Sequence, residues 1–407
     1  MKAARAKTIV LMGTLDTKGL EVGFVRDWLE RRGHRTIVVD AGVLGKPQIK
    51  ADIQREKVAK AGGKSLKELI EDAQKGSDRV PIIQVMVKGA AEIVKQLYSQ
   101  GKLDGIFSLG GSMGVAIGAN AMKALPVGVP KLMLSTRLYP EAIGEADITV
   151  MQSPTDIMGL NPITNRTLAY AAGAISGMVE VQPLEKKTKP LIGITAMGVT
   201  TPGVMMLQSL LQARGYDTVV FHVNSEVMDK LVAEGVIDGI LDYTPCELIR
   251  IFITSETPER VARLEIAGRR GIPQVIVPGG LDMIVLRVAR DELPERYKNR
   301  KIYMHGPFVT AVRTTREELV RLAEVISDKA NRATGPMAMV IPLKGFSEID
   351  KEGKAFYEPE TDTAFVSELT KRLKKTIVVK EVEYHINDEQ FAEEVVRIYD
   401  QISKGGR

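Results

Sequence analysis

Hydrophobic and polar positions occur in alternating blocks along the chain. An apolar, β-branched run at 8–12 is followed by a helical pattern at 20–31 and a second apolar run at 35–39. The apolar runs are continuous, which is typical of parallel strands that are buried on both faces. Strands that alternate with helices predict parallel sheets covered by helices. We therefore expect an α/β protein built from Rossmann-like, doubly wound parallel sheets.

An internal repeat divides this pattern into two halves. The motif Lys7–Gly13 has a counterpart in Lys189–Thr195, and Gly33–Val39 has one in Gly215–Phe221, so the spacing is 26 residues in both halves (33 − 7 and 215 − 189). Two shorter matches follow in the same order, 103–106 with 237–240 and 128–131 with 271–274. Unrelated doubly wound sheets share the same succession of strands, glycine turns and helices, so two unrelated halves remain an alternative. The equal spacing favours two related domains.

The repeat also predicts where the domains lie. We expect an N-terminal Rossmann-like domain at 1–183, which binds a nucleotide or phosphate and carries an insertion at about 41–81. A C-terminal Rossmann-like domain is expected at 189–407. Charge and proline interrupt the apolar pattern at 182–190, which is typical of a linker. A cleft between two domains is a usual place for a ligand, so we expect one there.

Composition narrows the classes of partner and compartment. Lys and Arg number 56 against 51 Asp and Glu, a net charge of +5, and aromatic residues make up only 5% of the 407 residues. A nucleic-acid binder concentrates basic and aromatic residues on one patch, so no specific nucleic-acid partner is expected. No apolar run reaches the roughly 20 residues of a membrane span. A single cysteine forms no intramolecular disulfide, which favours a cytoplasmic location.

A glycine-rich turn is the clearest candidate for ligand binding. Gly110, Gly111, Ser112 and Gly114 follow a buried strand and open a helix. Glycines let the main chain approach a ligand, and free amides at a helix start attract anions. The turn also follows the carboxyl end of a predicted parallel strand, where open α/β sheets bind ligands. A tight turn that needs glycine for structure alone is the alternative.

A second candidate follows the first strand, in the segment 13–19. It contains Gly13, Thr14, Asp16, Thr17 and Lys18, but it has neither the P-loop nor the Gly-x-Gly-x-x-Gly spacing. The hydroxyls and the lysine suit phosphate, and the carboxylate suits a ribose hydroxyl or Mg²⁺. The alternative is a helix N-cap, in which Asp16 or Thr17 satisfies the first amides.

Other candidates are scattered along the chain. Asp156 and Asn161 are polar residues among apolar neighbours, in a turn before a helix rich in small residues. In the second half, His222 and His305 are candidate acid/base groups, and Arg313 is a candidate cation. Four histidines without ligand spacing predict no dedicated metal site. Cys246 stands at a predicted helix start, where a lowered pKa and simple packing are the two alternatives.

Several of these motifs together carry a family resemblance. They occur in one order over nearly the whole chain: Gly13–Gly19 with Glu21, Asp104–Gly114, Leu125–Lys131, Asp156–Asn161 and Ile341–Ser347. At these residues the chain resembles the ATP-binding domain family typified by the plant tobamovirus-resistance protein. The resemblance implies two Rossmann-like subdomains, ATP binding and self-association into a homo-oligomer, either a dimer or a tetramer. It leaves the reaction of the bacterial members open.

The chain departs from that family at several loops. Met113 and Val115 replace a glycine and a threonine of the family's glycine-rich loop, and Arg137 opens a segment that is usually small and polar. The loop at Ser225 is shorter than the family pattern, and a glycine follows His305 where the family has asparagine. These departures lie in the predicted site loops, so they bear on ATP specificity rather than on the fold.

The sequence therefore predicts a protein that holds a nucleotide or another phosphorylated ligand, ATP with Mg²⁺, in an interdomain cleft. The predicted binding residues are Gly13, Thr14, Asp16, Thr17, Lys18, Gly110, Gly111, Ser112, Gly114 and Asn161. The catalytic candidates on the facing wall are Asp156, His305 and Arg313. Two alternatives stay open: an ATP-independent enzyme that acts on a small phosphorylated or carboxylated metabolite, and a non-catalytic oligomer stabilised by a nucleotide.

Overall fold

The computed structural model describes residues 6–76, 78–181, 187–223, 226–256 and 262–404. The chain forms two compact units, Met1–Glu185 and Lys186–Arg407. Most of the predicted linker, at 182–186, lies outside the described residues, and so does Ser225 of the shortened loop.

The first unit is a five-stranded parallel sheet in the order β2-β1-β3-β4-β5. Its strands are β1 (Thr8–Gly13), β2 (Arg35–Asp40), β3 (Gly105–Gly110), β4 (Lys131–Ser135) and β5 (Thr149–Gln152). Its helices are α1 (Leu15–Arg31), α2 (Arg55–Gly62), α3 (Leu66–Gln74), α4 (Arg79–Ser99), α5 (Ser112–Lys123), α6 (Pro140–Ile143) and α7 (Pro162–Glu180). Helices α2 and α3 belong to the segment between β2 and α4, where the sequence predicts an insertion.

The second unit has a six-stranded parallel sheet and a small antiparallel sheet. The parallel strands are β6 (Leu191–Ala196), β7 (Asp217–His222), β8 (Gly239–Asp242), β9 (Gln274–Ile276), β13 (Met337–Pro342) and β14 (Val378–Val382), and the antiparallel strands are β10 (Met283–Leu286), β11 (Ile302–Gly306) and β12 (Val309–Arg313). The helices are α8 (Thr201–Ala213), α9 (Glu226–Ala233), α10 (Glu247–Phe252), α11 (Ile266–Arg270), α12 (Arg316–Ala330), α13 (Pro359–Arg372) and α14 (Glu389–Lys404).

The two parallel sheets share one strand order. The order β2-β1-β3-β4-β5 corresponds to β7-β6-β8-β9-β13, and β14 extends the second sheet by one strand. The prediction of two α/β halves with Rossmann-like parallel sheets is confirmed. The antiparallel sheet between β9 and β13 was not predicted, because its three strands are short and pair only with one another.

The apolar run of β1 is continuous because its side chains alternate between two faces of the sheet and both faces are buried. Ile9 and Leu11 pack on one face of the sheet with α1 and α7, whereas Val10 and Met12 pack on the other face with α4 and α5. All four are at most 1% exposed. Burial of each such side chain stabilises the fold by about 1.5–3 kcal/mol, and both faces of the strand therefore need helices.

Helix ends fix the loops that matter for the candidate sites. Asn161 caps α7, since its Oδ1 accepts hydrogen bonds from the amides of Ile163 and Thr164 at 3.0 and 3.1 Å. Ser65 caps α3 in a reciprocal capping box with Glu68.

Across the described residues, every helix is too short or too polar to cross a membrane.

Candidate functional site

The strand order of the first sheet indicates a candidate ligand site at the carboxyl ends of β1 and β3. Strands β2 and β3 lie on opposite sides of β1, so the direction of the chain along the sheet reverses between β1 and β3. Open α/β sheets bind ligands outside the carboxyl ends of the strands at such a switch point. The loops at this point are 13–15 and 110–112, which are the two turns that the sequence singled out.

The three glycines of the second turn have different reasons to lack a side chain. A Cβ on Gly110 would lie 3.0 Å from the Cα of Gly114, and one on Gly114 would lie 3.1 Å from the carbonyl oxygen of Leu109. These two glycines permit close packing of the turn. A Cβ on Gly111 would meet no atom within 4 Å. The fold does not require glycine there, and its absence of a side chain leaves open space beside the helix.

That open space lies at the amino end of α5. Gly111 is the N-cap and offers no side chain to the first amides, although serine, asparagine or aspartate would cap better. The amides of Ser112, Met113 and Gly114 belong to the first turn, where N–H groups have no intrahelical acceptor. Main-chain donors and the positive end of the helix dipole therefore face a space that can take an anion.

A small cavity of 110 Å³ lies between the first turn, the start of α5 and the insertion, and none of Gly110, Gly111, Ser112 and Gly114 lines it. Thr14, Asp16 and Thr17 of the first turn and Met113 of the second line it. The rest of the lining is largely apolar and comes from the loop after β2 and from α3, α4 and α5: Ala41, Gly42, Val43, Leu44, Ala73, Arg79, Ile82, Ile83, Met86 and Ile117. The structure thus brings three predicted binding residues of the first turn to one cavity, next to Met113 in the first turn of α5.

Arg79 is a member of this cavity that sequence reasoning missed. It is the first residue of α4, it is exposed, and it has no ion-pair or hydrogen-bond partner for its side chain among the described residues. A cation at the amino end of a helix is opposed by the helix dipole. Arg79 directly follows the N-cap Asp78, and this unfavourable position for a cation was the one signal in the sequence for a binding role of Arg79.

The first turn is held mainly by contacts within the protein. The Oδ2 of Asp16 accepts a hydrogen bond from the Gly45 amide at 3.0 Å, and the hydroxyls of Thr14 and Thr17 lie 2.9 Å apart. The Leu15 amide donates to Oδ1 of Asp40 at 3.1 Å. Burial raises the pKa of Asp40, although two amide hydrogen bonds oppose that shift. Through its hydrogen bond to the Gly45 amide, Asp16 anchors the loop after β2.

Lys18 and Glu21 connect α1 to the third predicted motif. The Nζ of Lys18 donates to the carbonyl oxygen of Ile157, and Oε1 of Glu21 accepts from the Gly159 amide at 2.7 Å. Glu21 is only 1% exposed. The predicted phosphate-neutralising lysine thus has a main-chain partner 139 residues away.

The remaining first-unit candidates differ in their surroundings. Asn161 caps α7 and is exposed, whereas Asp156 is exposed in a shallow surface depression that Thr136 and Arg137 also line. Arg137 belongs to the segment that departs from the family pattern. Neither Asp156 nor Asn161 lines the 110 Å³ cavity. Their predicted roles in ligand binding and catalysis stay predictions.

In the second unit, His222 and His305 line one cavity of 490 Å³ together with Cys246. Cys246 is half-buried, and burial raises the pKa of its thiol well above its ordinary value, which is opposite to the lowered pKa considered for a helix start. His222 and His305 are both exposed. The structure therefore brings two predicted acid/base candidates together.

Arg313 lies elsewhere, in a buried charge cluster. It is 3% exposed and donates to Oδ1 of Asp362 at 2.5 Å and to the carbonyl oxygen of Asp282 at 3.0 Å. Burial and the neighbouring carboxylate of Asp350 raise the pKa of Asp282 to about 7, and Arg313 and Ser347 oppose that shift. Arg313 neutralises buried acids, and its predicted catalytic role is untested.

Metal ligands are scarce in the described part of the chain. No group of three or more His, Cys, Asp or Glu residues there has the arrangement that holds a metal ion. Asp16, the predicted Mg²⁺ ligand, has one carboxylate oxygen bonded to the Gly45 amide. Its other carboxylate oxygen, Oδ1, is buried and has no hydrogen-bond partner among the described residues, so the prediction that Asp16 binds Mg²⁺ stays a prediction.

Two family models match the chain. The "Uncharacterised protein family (UPF0261) N-terminal domain" matches residues 7–183, and the corresponding C-terminal domain matches residues 189–403. A UPF0261 protein of Clostridium tetani is 42% identical over 394 residues, which cover 95% of this chain and 96% of the relative. One from Rhizobium meliloti is 34% identical over 407 residues, with 98% and 99% covered.

A plant protein is also similar. The ToMV resistance protein Tm-1(GCR237) of Solanum lycopersicum is 33% identical over 340 residues, which cover 80% of this chain and 45% of the tomato protein. Among solved structures, a 3-phosphoglycerate dehydrogenase of Entamoeba histolytica with bound NAD⁺ covers 98% of this chain and 95% of its own, at 13% identity and a TM-score of 0.19. That score supports no functional conclusion.

Proposed function

The chain belongs to the UPF0261 protein family, and from this premise we propose that it binds a nucleotide, with ATP as the first candidate, at the carboxyl edge of the first parallel sheet. One observation carries the proposal. Gly111 caps α5 without a side chain, and the fold would tolerate a Cβ there. The open space beside three first-turn amides suits a phosphate group.

Arg79 supports the same proposal from the side of the insertion. Its guanidinium lacks a protein partner among the described residues, lines the adjoining cavity and suits a phosphate oxygen. In this proposal Arg79 takes the role that the sequence assigned to Lys18, because the lysine ammonium already bonds to the Ile157 carbonyl.

The cavity suits the uncharged part of such a ligand. Leu44, Ile83 and Met113 offer an apolar surface, and the hydroxyls of Thr14 and Thr17 offer polar contacts at its edge. Pockets for small molecules commonly combine an apolar lining with few polar groups. A volume of 110 Å³ suits part of a nucleotide rather than the whole.

Magnesium enters this proposal only with the triphosphate. Mg²⁺ is usually bound through one or two carboxylates together with substrate phosphates. The carboxylate at this edge, Asp16, already accepts the Gly45 amide. Its Oδ1 is buried without a hydrogen-bond partner among the described residues, so Asp16 would be the residue to hold Mg²⁺ together with the phosphates, and we assign no chemical step to the metal.

A calorimetric titration of the full chain with ATP, with and without Mg²⁺, tests the site. We expect ATP binding to be lost in Gly111→Asp, because the new carboxylate would occupy the first amides and repel phosphate. Arg79→Gln should weaken ATP binding about tenfold or more, as expected for a charge-assisted hydrogen bond.

Matched controls make the titration decisive. Gly177→Asp changes an exposed glycine of α7 that also has open space around it, and Arg35→Gln changes an exposed arginine at the start of β2. Both controls should bind ATP like the unaltered chain. Unchanged ATP affinity in Gly111→Asp would remove the assigned site.

The proposal extends to self-association. We propose a homo-oligomer, a dimer or a tetramer, and light scattering of the purified chain measures its mass directly. If the nucleotide only stabilises an oligomer, the mass should rise with ATP while no phosphate is released. A mass equal to one chain at all ATP concentrations would contradict this extension.

A further inference from the structure

The cavity of 490 Å³ in the second unit lies at the switch point of its own sheet. Strands β7 and β8 flank β6 on opposite sides, so the chain reverses direction between β6 and β8. Met197 and Val199 follow β6, His222 ends β7, and Cys246 follows β8, and all four line the cavity. The position therefore corresponds to the candidate site of the first unit, and its volume is within the usual range for small-molecule sites.

The unpredicted antiparallel sheet supplies a further wall of this cavity. Met283 and Ile284 of β10, Tyr303 of β11 and Ala311 of β12 face it. With Ile249 of α10 they make a largely apolar lining. Such a lining suits the hydrocarbon body of a ligand, because burial of that body is favourable.

Three main-chain amides near this switch point already donate to side chains of the protein. The Met197 amide donates to the Thr200 hydroxyl at 3.2 Å, and the Thr244 amide donates to the Thr195 hydroxyl at 2.9 Å. The Gly203 amide, near the start of α8, donates to the Asn387 side chain at 3.1 Å. In the first unit the Leu15 amide likewise donates to Asp40, but the glycine turn after β3 has no side-chain cap. The glycine turn and its counterpart after β8, where the Thr244 amide donates to Thr195, therefore differ in the main-chain donors that they offer to an anion.

Side chains carry the positive charge of this cavity instead. Two acidic residues line the cavity in the described part of the chain, and both are paired: Glu256 with Arg250, and Glu247 with Arg263, which also pairs with Asp242. Arg287 also lines the cavity, is exposed, and has no side-chain partner among the described residues. His222 and His305 add ring N–H donors at the exposed side. Among the charged lining residues that the structure describes, Arg287 is therefore the exposed one without an ion-pair partner.

We propose that this cavity binds a small organic acid. Arg287, with His222 and His305, holds the carboxylate at the opening, and the hydrocarbon body packs against Met283 and its apolar neighbours. Arginine pairs with a carboxylate through two parallel N–H···O bonds, which gives both affinity and orientation. This second site is independent of the proposed nucleotide site.

Titration of the full chain with matched acids and alcohols tests the proposal. The probes are butanoate, hexanoate and phenylacetate, their alcohols butan-1-ol, hexan-1-ol and 2-phenylethanol, and inorganic phosphate. We expect at least one acid to bind in calorimetry and to raise the melting temperature, since a ligand that binds the native state stabilises it. The matched alcohol should bind at least about tenfold more weakly, because it lacks the charge that Arg287 recognises.

Arginine variants locate the binding site. Arg287→Gln should weaken acid binding about tenfold or more, whereas Arg290→Gln, which changes an exposed arginine outside the cavity, should leave it unchanged. Gly111→Asp, which targets the first unit, should also leave acid binding unchanged. Loss of ATP binding in that variant therefore separates the two proposals.

Three results would overturn the inference. They are the absence of binding by all three acids, equal acid affinity in Arg287→Gln and the unaltered chain, and phosphate binding that depends on Arg287 and competes with the acids. Because Arg287 is exposed and its side chain lacks a partner in the described residues, its replacement should not affect folding.

Discussion

At the scale of single residues, long-range partners decide what a side chain does. Lys18 suits phosphate by its chemistry, yet its ammonium bonds to a carbonyl oxygen 139 residues later. Glu21, one turn further along α1, accepts an amide of the same distant loop. Contacts at that separation depend on how helices and loops pack, which a local motif does not record. The reverse holds for Arg79, which no motif indicated and which has no partner among the described residues.

Lys18 gives a prediction at this scale. Lys18→Met should lower the free energy of unfolding by about 1–3 kcal/mol, since it removes a hydrogen bond from a charged donor and leaves the Ile157 carbonyl without it. ATP affinity should stay unchanged. Urea unfolding and calorimetry measure the two quantities separately. A large loss of ATP binding with unaltered stability would contradict this prediction and indicate that Lys18 binds phosphate.

The buried cluster around Arg313 gives a second residue-scale prediction. Burial and Asp350 hold the pKa of Asp282 at about 7, above its ordinary value of 3.8. Between these two values the native state binds more protons than the unfolded state, so this group makes the protein less stable as the pH rises from about 4 to 7. Asp282→Asn removes that ionisation, and its stability relative to the unaltered chain should increase with pH across this window.

Urea unfolding at pH 5, 6, 7 and 8 measures this difference. The exposed Asp291 provides the control, because Asp291→Asn should shift stability by the same small amount at each pH. A difference between the Asp282→Asn variant and the unaltered chain that is constant with pH would contradict the assignment.

At the scale of elements, continuous apolar runs made the strands predictable. The segments Ile9 to Met12 and Leu191 to Ile194 each form a continuous apolar run, and β1 and β6 are buried along nearly all of those runs. The antiparallel sheet of β10, β11 and β12 had no such signal, because Val285 and Tyr303 are exposed and the strands are only four or five residues long. The sequence therefore did not predict the wall that this antiparallel sheet forms in the cavity of 490 Å³.

Helix α5 gives a prediction in which stability and binding change in opposite directions. Gly111→Asp should stabilise the protein by about 0.3–1 kcal/mol, because aspartate caps better than glycine and its charge favours the helix dipole. The same change should abolish ATP binding. Thermal unfolding without ligand and calorimetry with ATP provide the comparison. A variant that is destabilised and fails to bind would show only that the turn is damaged.

At the scale of the whole molecule, the two units have separate cores. Each has a parallel sheet with apolar clusters on both faces, formed by residues of that unit alone. We expect fragments 1–185 and 186–407, expressed apart, each to unfold in a single cooperative transition. Circular dichroism with heating measures this, and the full chain is the reference. A fragment without cooperative unfolding would contradict the independence of its core.

The different use of main-chain amides at the two switch points has an evolutionary consequence. The donors of a site built from the main chain, as proposed at Gly111, are the same for every amino acid except proline, so a substitution such as Gly111→Asp blocks the site but does not give it donors of another kind. A site built from side chains, as proposed at Arg287, changes its preference with a single codon. If both proposals hold, substitutions in the first half block its site, whereas substitutions in the second half alter which ligand its site prefers.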